Sequence, residues 1–219
     1  MKIPRISSFV SARMPEAGTL PRKVWLTLDD GPEPIHTEEI VRALDRHRIK
    51  ATFFVIGQKV ATHPAIVQRV FDAGHRIGNH TFSHRRMTEL TPVEVREEIE
   101  STSRLIAAFT PGQKIFRPPF GALSPTVSEI ADELGHRTVL WDVDPNDWDP
   151  QRQPKGWIKA ALHEMRQKQD CIILTHDDRR TTAENFDLFI SLLKKSGPIT
   201  FEDPSTLCAT GSEGPAPTG

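Results

Sequence analysis

Two adjacent carboxylates, Asp29 and Asp30, close a short apolar run (Lys23-Val24-Trp25-Leu26-Thr27-Leu28), and Gly31-Pro32 turns the chain directly after them. The run reads as a buried strand. Charged oxygens at its end are costly unless a cation or hydrogen-bond donors meet them. In α/β folds, strand ends are also where ligands sit. The pair therefore points to a metal-assisted active site whose remaining ligands must come from elsewhere in the chain. His80-Thr81-Phe82-Ser83-His84 offers two imidazoles four residues apart, just beyond another strand candidate. In a helical turn both rings would point to one side. Two histidines and one carboxylate suit a catalytic zinc and leave a position for water.

Three further segments carry groups that could act beside a metal. Leu174-Thr175-His176-Asp177 ends an apolar run, and His176 is suited to donating a proton near neutral pH. In Arg117-Pro118-Pro119-Phe120-Gly121 the prolines remove two backbone donors. That makes the N–H of Phe120 or Gly121 a candidate donor to an oxyanion. Arg117 can pair with an active-site carboxylate and hold it ionised. In Asp144-Pro145-Asn146-Asp147-Trp148-Asp149, one of three acids can orient His176 through its second ring nitrogen. Trp148 can form an apolar wall or a stacking face.

These segments need a scaffold that brings strand ends together. Strands are expected at Val24–Leu28, Ala51–Ile56, Arg76–Gly78, Lys114–Arg117, Arg137–Trp141, Cys171–Leu174 and Ile199–Phe201. Helices are expected at Thr37–His47, Ala65–Ala73, Pro92–Ala108, Pro125–Leu134, Gly156–Lys168 and Ala183–Lys195. Thr91 before Pro92, with Glu94 following, is a cap-and-start signal. Gly135 and Gly197 read as helix stops. The alternation implies parallel strands with helical crossovers, as an open sheet or a barrel. Residues 1–21 read as an arm, 22–204 as the catalytic domain and 205–219 as a flexible tail rich in Gly, Pro, Ser and Thr.

Composition narrows the class. With 219 residues, 37% hydrophobic and 26% charged, the chain can bury one sizeable core. A net charge of -1 gives no reason to expect nucleic-acid or membrane-surface binding. The two cysteines, Cys171 and Cys208, do not suggest a disulfide framework. No run approaches the ~20 apolar residues of a membrane span. The N-terminus has no apolar leader, which points to the cytoplasm, with a processed extracytoplasmic domain as the alternative.

Taken together, the motifs resemble the polysaccharide deacetylase family (NodB-homology domain, carbohydrate esterase family 4) over about residues 22–202. Its five motifs occur in order. Thr27-Leu28-Asp29-Asp30-Gly31-Pro32 stands for TFDDGP, and His80 to His84 for H-S/T-x-x-H. Arg117 to Phe120 stands for R-x-P-Y/F, Asp144 to Trp148 for D-x-x-D-W, and Leu174-Thr175-His176 for L-x-H. Leu28 replaces the common phenylalanine, Phe120 stands where tyrosine is frequent, and Thr175 replaces a common leucine.

The resemblance implies a distorted (β/α) barrel of about seven strands. It assigns Asp29 as general base and Asp30, His80 and His84 as metal ligands. Arg117 positions Asp29, and Asp147 tunes His176, the general acid. Pro119, Phe120, Trp148 and Leu174 are expected to contact substrate. The implied reaction is metal-dependent removal of N-acetyl groups from N-acetylglucosamine units of an oligo- or polysaccharide, of chitin-oligomer or peptidoglycan type. Zn2+ is the expected metal, with Co2+ or Mn2+ as alternatives. The rival readings are an ester or small-amide hydrolase with the same chemistry, and a non-enzymatic carbohydrate-binding relative.

Overall fold

The computed structural model describes residues 20–209. The expected arm falls almost wholly outside them, as does most of the expected tail; residues Pro204–Ala209 form a 3-10 turn. The strands are β1 (Arg22–Asp29), β2 (Thr52–Val55), β3 (Arg76–Asn79), β4 (Lys114–Phe116), β5 (His136–Thr138), β6 (Cys171–His176) and β7 (Ile199–Phe201). The helices are α1 (His36–His47), α2 (Gly57–Thr62), α3 (Pro64–Asp72), α4 (Pro92–Ile106), α5 (Pro125–Glu133), α6 (Gly156–Met165) and α7 (Arg180–Lys195).

Every strand pairing is parallel, in the order β5-β4-β3-β2-β1-β6, with β7 added beside the start of β1. An isolated parallel bridge between Val143 and Ile173 ties the segment after β5 to β6. The ring of strands is thereby closed, which makes the sheet a distorted (β/α) barrel rather than an open sheet. Among the described residues no helix is long and apolar enough to cross a membrane.

Strand alternation sorts the side chains into two environments. Val24, Leu26 and Leu28 of β1 join Cys171 and Ile173 of β6 in the large core, which also takes buried residues of α1, α6 and α7. The alternate residues Trp25, Phe54, Ile115, Val139 and Ile172 form a separate apolar cluster that fills the barrel interior. Thr27 and then Asp29 continue the inward-facing row of β1. Phe53 and Phe54 show the same division, one joining the outer core and the other the plug. Cys171 is a free, buried thiol, pushed up to about 12 by burial.

Helix boundaries follow their capping chemistry. Thr91 and Glu94 form a reciprocal capping box at the start of α4. Ser124 caps α5, and Gly135 takes a left-handed φ of 75° just beyond it. Two differences from the sequence-based expectation have physical causes. Helix α2 is one short piece that buries only Gly57 and Val60, so it presents no apolar stripe to read. Strand β5 ends at Thr138, earlier than expected, because the chain beyond it leaves β4 to reach β6 through Val143.

Candidate active site

The carboxyl ends of β1, β3, β4 and β6 open into one cavity of about 450 Å³, lined by Asp29, Asp30, His80, His84, Phe120, Trp141, Asp144, Trp148, Leu174, His176 and Arg179. This is the face on which parallel (β/α) barrels carry their functional groups.

Asp29 is the last inward residue of β1 and is buried. Arg117, immediately after β4, is completely buried and reaches across the barrel to it. Its Nη1 donates to Asp29 Oδ1 and to Thr27 Oγ1, both at 2.8 Å. Its Nε and Nη2 donate to the carbonyls of Val139 and Leu140 at 3.1 and 3.0 Å. The guanidinium lies 4.1 Å over the Phe54 ring, on top of the apolar plug. A buried cation is tolerable only when paired and fully hydrogen-bonded, and here four acceptors hold it. Arg117 fixes Asp29 Oδ1, while Oδ2 faces His80 Nε2 at 3.6 Å.

Asp30 leaves the strand in a left-handed conformation, φ 75°. This turns its side chain away from Asp29 and toward the histidines. Its Oδ1 lies 3.4 Å from His80 Nε2 and 3.1 Å from His84 Nε2. The turn is tight: a Cβ on Gly31 would sit 2.1 Å from Asp177 Oδ2, so any larger residue would have to displace that carboxyl. Asp177 is itself buried and accepts from Thr37 Oγ1 at 2.6 Å. Its carboxyl is raised to about 7 by burial, an effect the Thr37 bond opposes.

His80 follows β3. Its Nδ1–H donates to the Arg117 carbonyl at 2.8 Å, which leaves the Nε2 lone pair directed at Asp30. The segment from His80 to His84 is not a helical turn. It is a bent loop with left-handed residues at Thr81 (φ 68°) and His84 (φ 58°). Such backbone costs about 1–3 kcal/mol per residue and persists only where surroundings impose it. Asn79 Oδ1 accepts from Thr81 N, Thr81 Oγ1 from His84 N, and the Thr81 and Phe82 carbonyls from Gly57 and Gln58.

Asp30, His80 and His84 fit a divalent cation. Two ligand atoms bound at ~2.1 Å with tetrahedral angles lie ~3.4 Å apart, close to the separations seen here. Asp30 Oδ1 is buried, yet no hydrogen bond reaches it. Among the described residues these three form the group able to hold a metal. Burial opposes charge on Asp30, but the two imidazoles and His176 outweigh it and hold its carboxyl well below the usual carboxylate range.

His176 ends β6 and pairs in register with Asp29. Its Nδ1–H donates to Asp147 Oδ1 at 2.6 Å. Asp147 is fully buried, and its Oδ2 accepts from the His176 backbone N–H at 2.9 Å and from Thr182 Oγ1 at 2.7 Å. Burial alone would lower the imidazole pKa. The Asp147 charge overrides it and, with Asp30 and Asp29, raises it to about 10. Of the three acids around Trp148, Asp147 is the one that orients His176. Asp144 lines the cavity and accepts from Asn146 N, and Asp149 caps a 3-10 turn.

Gly121 N–H donates to Pro118 O, which leaves the Phe120 N–H as the donor open to a ligand. Phe120 is exposed, left-handed (φ 59°), and packs edge-on against His84 at 4.8 Å. Trp148 is 51% exposed at the rim, and Leu174 lies deeper in the wall. Pro119 is buried; it shapes the turn and does not line the cavity. Sequence reasoning missed Trp141 and Arg179 in the wall, and Thr27, Asp177, Thr182 and Glu98 behind it. Only Thr27 carried a local signal, two residues before Asp29 on the same strand face.

The polysaccharide deacetylase family model matches residues 16–139. A peptidoglycan-N-acetylmuramic acid deacetylase from Bacillus subtilis is 36% identical over 182 residues, 82% of this chain and 69% of that protein. A peptidoglycan-N-acetylglucosamine deacetylase from Listeria monocytogenes is 32% identical over 194 residues, 87% of this chain; the chain spans only 40% of that relative's length. Among solved structures, a pseudoenzyme of carbohydrate esterase family 4 from Bacillus anthracis superposes with a TM-score of 0.77 at 28% identity, covering 87% of this chain and 66% of that one.

Proposed function

This chain belongs to the polysaccharide deacetylase family, and on that premise we propose that it is a metal-dependent hydrolase removing N-acetyl groups from N-acetylglucosamine units of an oligo- or polysaccharide, with release of acetate. Asp30, His80 and His84 would hold the metal, and the His2Asp donor set suits Zn2+, with Co2+ or Mn2+ able to use the same ligands. A divalent cation there supplies Lewis acidity, polarising the acetyl carbonyl and acidifying water.

The chain's own residues do the proton transfers. Asp29 Oδ2 takes a proton from the attacking water. The water oxygen bonds to the acetyl carbon, and the Phe120 N–H donates to the carbonyl oxygen as it gains charge; such donors contribute about 3–4 kcal/mol. His176 Nε2–H then protonates the departing nitrogen as the C–N bond breaks, giving acetate and a free amino sugar. Trp148 and Leu174 provide the apolar wall for the sugar and the acetyl methyl.

One observation carries this reading. The ligand cluster is flanked by a carboxylate backed by a buried arginine and an imidazole backed by a buried carboxylate. A site that only bound sugar would need neither. Acetate release should be measured on N-acetylglucosamine oligomers, acetylated xylan and simple amides, with metal content measured alongside. Asp30→Ala, His80→Ala and His84→Ala should lose both stoichiometric metal and activity. His176→Ala should keep the metal and lose most turnover. Unchanged metal content in all three ligand variants would refute the site. Faster hydrolysis of esters or simple amides than of the sugar amide would refute the substrate.

A further inference from the structure

The two histidines lie on a loop that the backbone alone does not favour, and one side chain from outside it grips the stretch between them. Glu98, on α4, is buried. Its Oε2 accepts from the consecutive backbone N–H groups of Phe82 and Ser83, each at 2.8 Å, and its Oε1 accepts from Ser83 Oγ. Consecutive N–H groups beside left-handed residues form a concavity suited to an anion, and a carboxylate is the strongest acceptor a protein can place there. The same helix secures the start of the loop. Asn79 Nδ2 donates to the Ile99 carbonyl at 2.8 Å and to Ser103 Oγ at 2.9 Å.

We infer that Glu98 is a positioning residue for the metal pair: by drawing in the peptide groups of residues 82 and 83, it sets the approach of His84 Nε2 to Asp30. The inference rests on the ligand assignment above. The contacts of α2 on the loop are made through carbonyls at Thr81 and Phe82 and leave the N–H side to Glu98. Without the carboxylate, three donors lose their acceptor and the left-handed turn at His84 is left with the bond from its own N–H to Thr81 Oγ1. His80 stays anchored through its own Nδ1 bond to Arg117, so the defect falls on one ligand of three.

The test uses the full chain with Zn2+ and Co2+ as probes. Zinc affinity is measured by chelator competition, coordination by the visible absorption of the Co2+ form, and stability by thermal melting. Glu98→Gln is nearly isosteric but turns an N–H toward donors. Thr91→Ala is the control, since it removes the cap of the same helix and leaves the loop contacts intact. Glu98→Gln should weaken zinc binding about 10–100-fold and alter the Co2+ spectrum, while Thr91→Ala lowers the melting temperature with affinity and spectrum unchanged. Ser83→Ala, which removes one of the three bonds, should give a smaller loss and keeps the test available if Glu98→Gln does not fold. Affinity and spectrum unchanged in Glu98→Gln, or altered equally in Thr91→Ala, would overturn the inference. A wild-type chain that binds no zinc would refute the ligand assignment itself, and the inference with it.

Discussion

Replacing Asp147 by Asn tests the proposed general-acid role of His176 most directly. The change keeps shape and leaves an oxygen for the Thr182 hydroxyl and the His176 backbone N–H. It removes the buried charge opposite Nδ1. The side-chain amide then donates to Nδ1, which moves the neutral imidazole's proton to Nε2, where only a far weaker acid remains. Burial disfavours the imidazolium, and the Asp147 carboxylate is what chiefly offsets it. Without that charge the imidazole pKa falls from about 10 back toward its ordinary range, with only Asp30 and Asp29 left to oppose burial. A smaller share of the imidazole is then protonated at pH 8.5, so kcat should drop by up to the ~100-fold that a general acid typically supplies, with the basic limb of the pH profile moved to lower pH. A cation held by Asp30 would cancel part of that carboxylate's pull and bring the wild-type basic limb below 10.

The same substitution has a signature in stability. A histidine whose folded pKa is raised stabilises the fold fully below its unfolded value, and that contribution is lost as pH rises through the folded value. For His176 the window runs from 6.5 to about 10. At 1.36 kcal/mol per pKa unit this amounts to about 5 kcal/mol. Urea unfolding of the metal-free chain at pH 6, 8 and 10 should show wild-type stability falling across that window and Asp147→Asn falling distinctly less. Parallel pH dependence in the two proteins would refute the coupling. So would an imidazole titrating near 6.5 by NMR in the wild type.

Arg117→Lys should cost about 3–5 kcal/mol in urea unfolding, because one ammonium cannot serve four acceptors on three sides and leaves buried groups unpaired. Recovery of wild-type stability by lysine would contradict that geometry. Gly31→Ala should weaken zinc binding and destabilise by about 1–3 kcal/mol through overpacking against Asp177; adding Asp177→Ala should restore part of the loss, and a Gly31→Ala protein identical to wild type would show the close approach to be unimportant. Trp148→Ala should raise KM for N-acetylated oligomers several-fold with melting temperature unchanged, since half of the ring is in solvent; a kcat loss at constant KM would argue against a sugar-stacking role.

The parts of the site that could be read from sequence are those where a single residue breaks a local rule. Asp29 and His176 each end an apolar run, and a charge there requires a partner. Arg117 was legible for a related reason, since a cation directly after a buried strand needs an acceptor. Residues whose meaning lies in a distant partner gave no such signal. Thr182 and Glu98 read as ordinary helix positions until Asp147 and the 82–83 peptides are placed against them. The spacing of His80 and His84 is satisfied equally by a helical turn and by the observed loop; contacts from α4 and β3 decide between them. Barrel against open sheet was undecidable for a similar reason, because closure rests on the Val143–Ile173 bridge, outside any periodic run.

The chemistry depends finally on strand register. Val24, Leu26 and Leu28 must face the helices, so Trp25, Thr27 and Asp29 must face the barrel axis. In β6, Cys171 and Ile173 face outward, which turns Ile172, Leu174 and His176 inward. The β1–β6 ladder then pairs Asp29 with His176 at one height. A slip of one residue in either strand would put Asp29 or His176 into the apolar layer beneath the helices. The same alternation stacks the apolar plug, then Arg117 lying on Phe54, then Asp29. Arg117 can be buried because aromatic surface lies below it and Asp29, Thr27 and two carbonyls take its donors. Asp29 can stand at a strand end because that arginine is behind it. The outward apolar row of β1 therefore does two things: it holds the fold, and it obliges the carboxylate that ends the inward row to face the cavity.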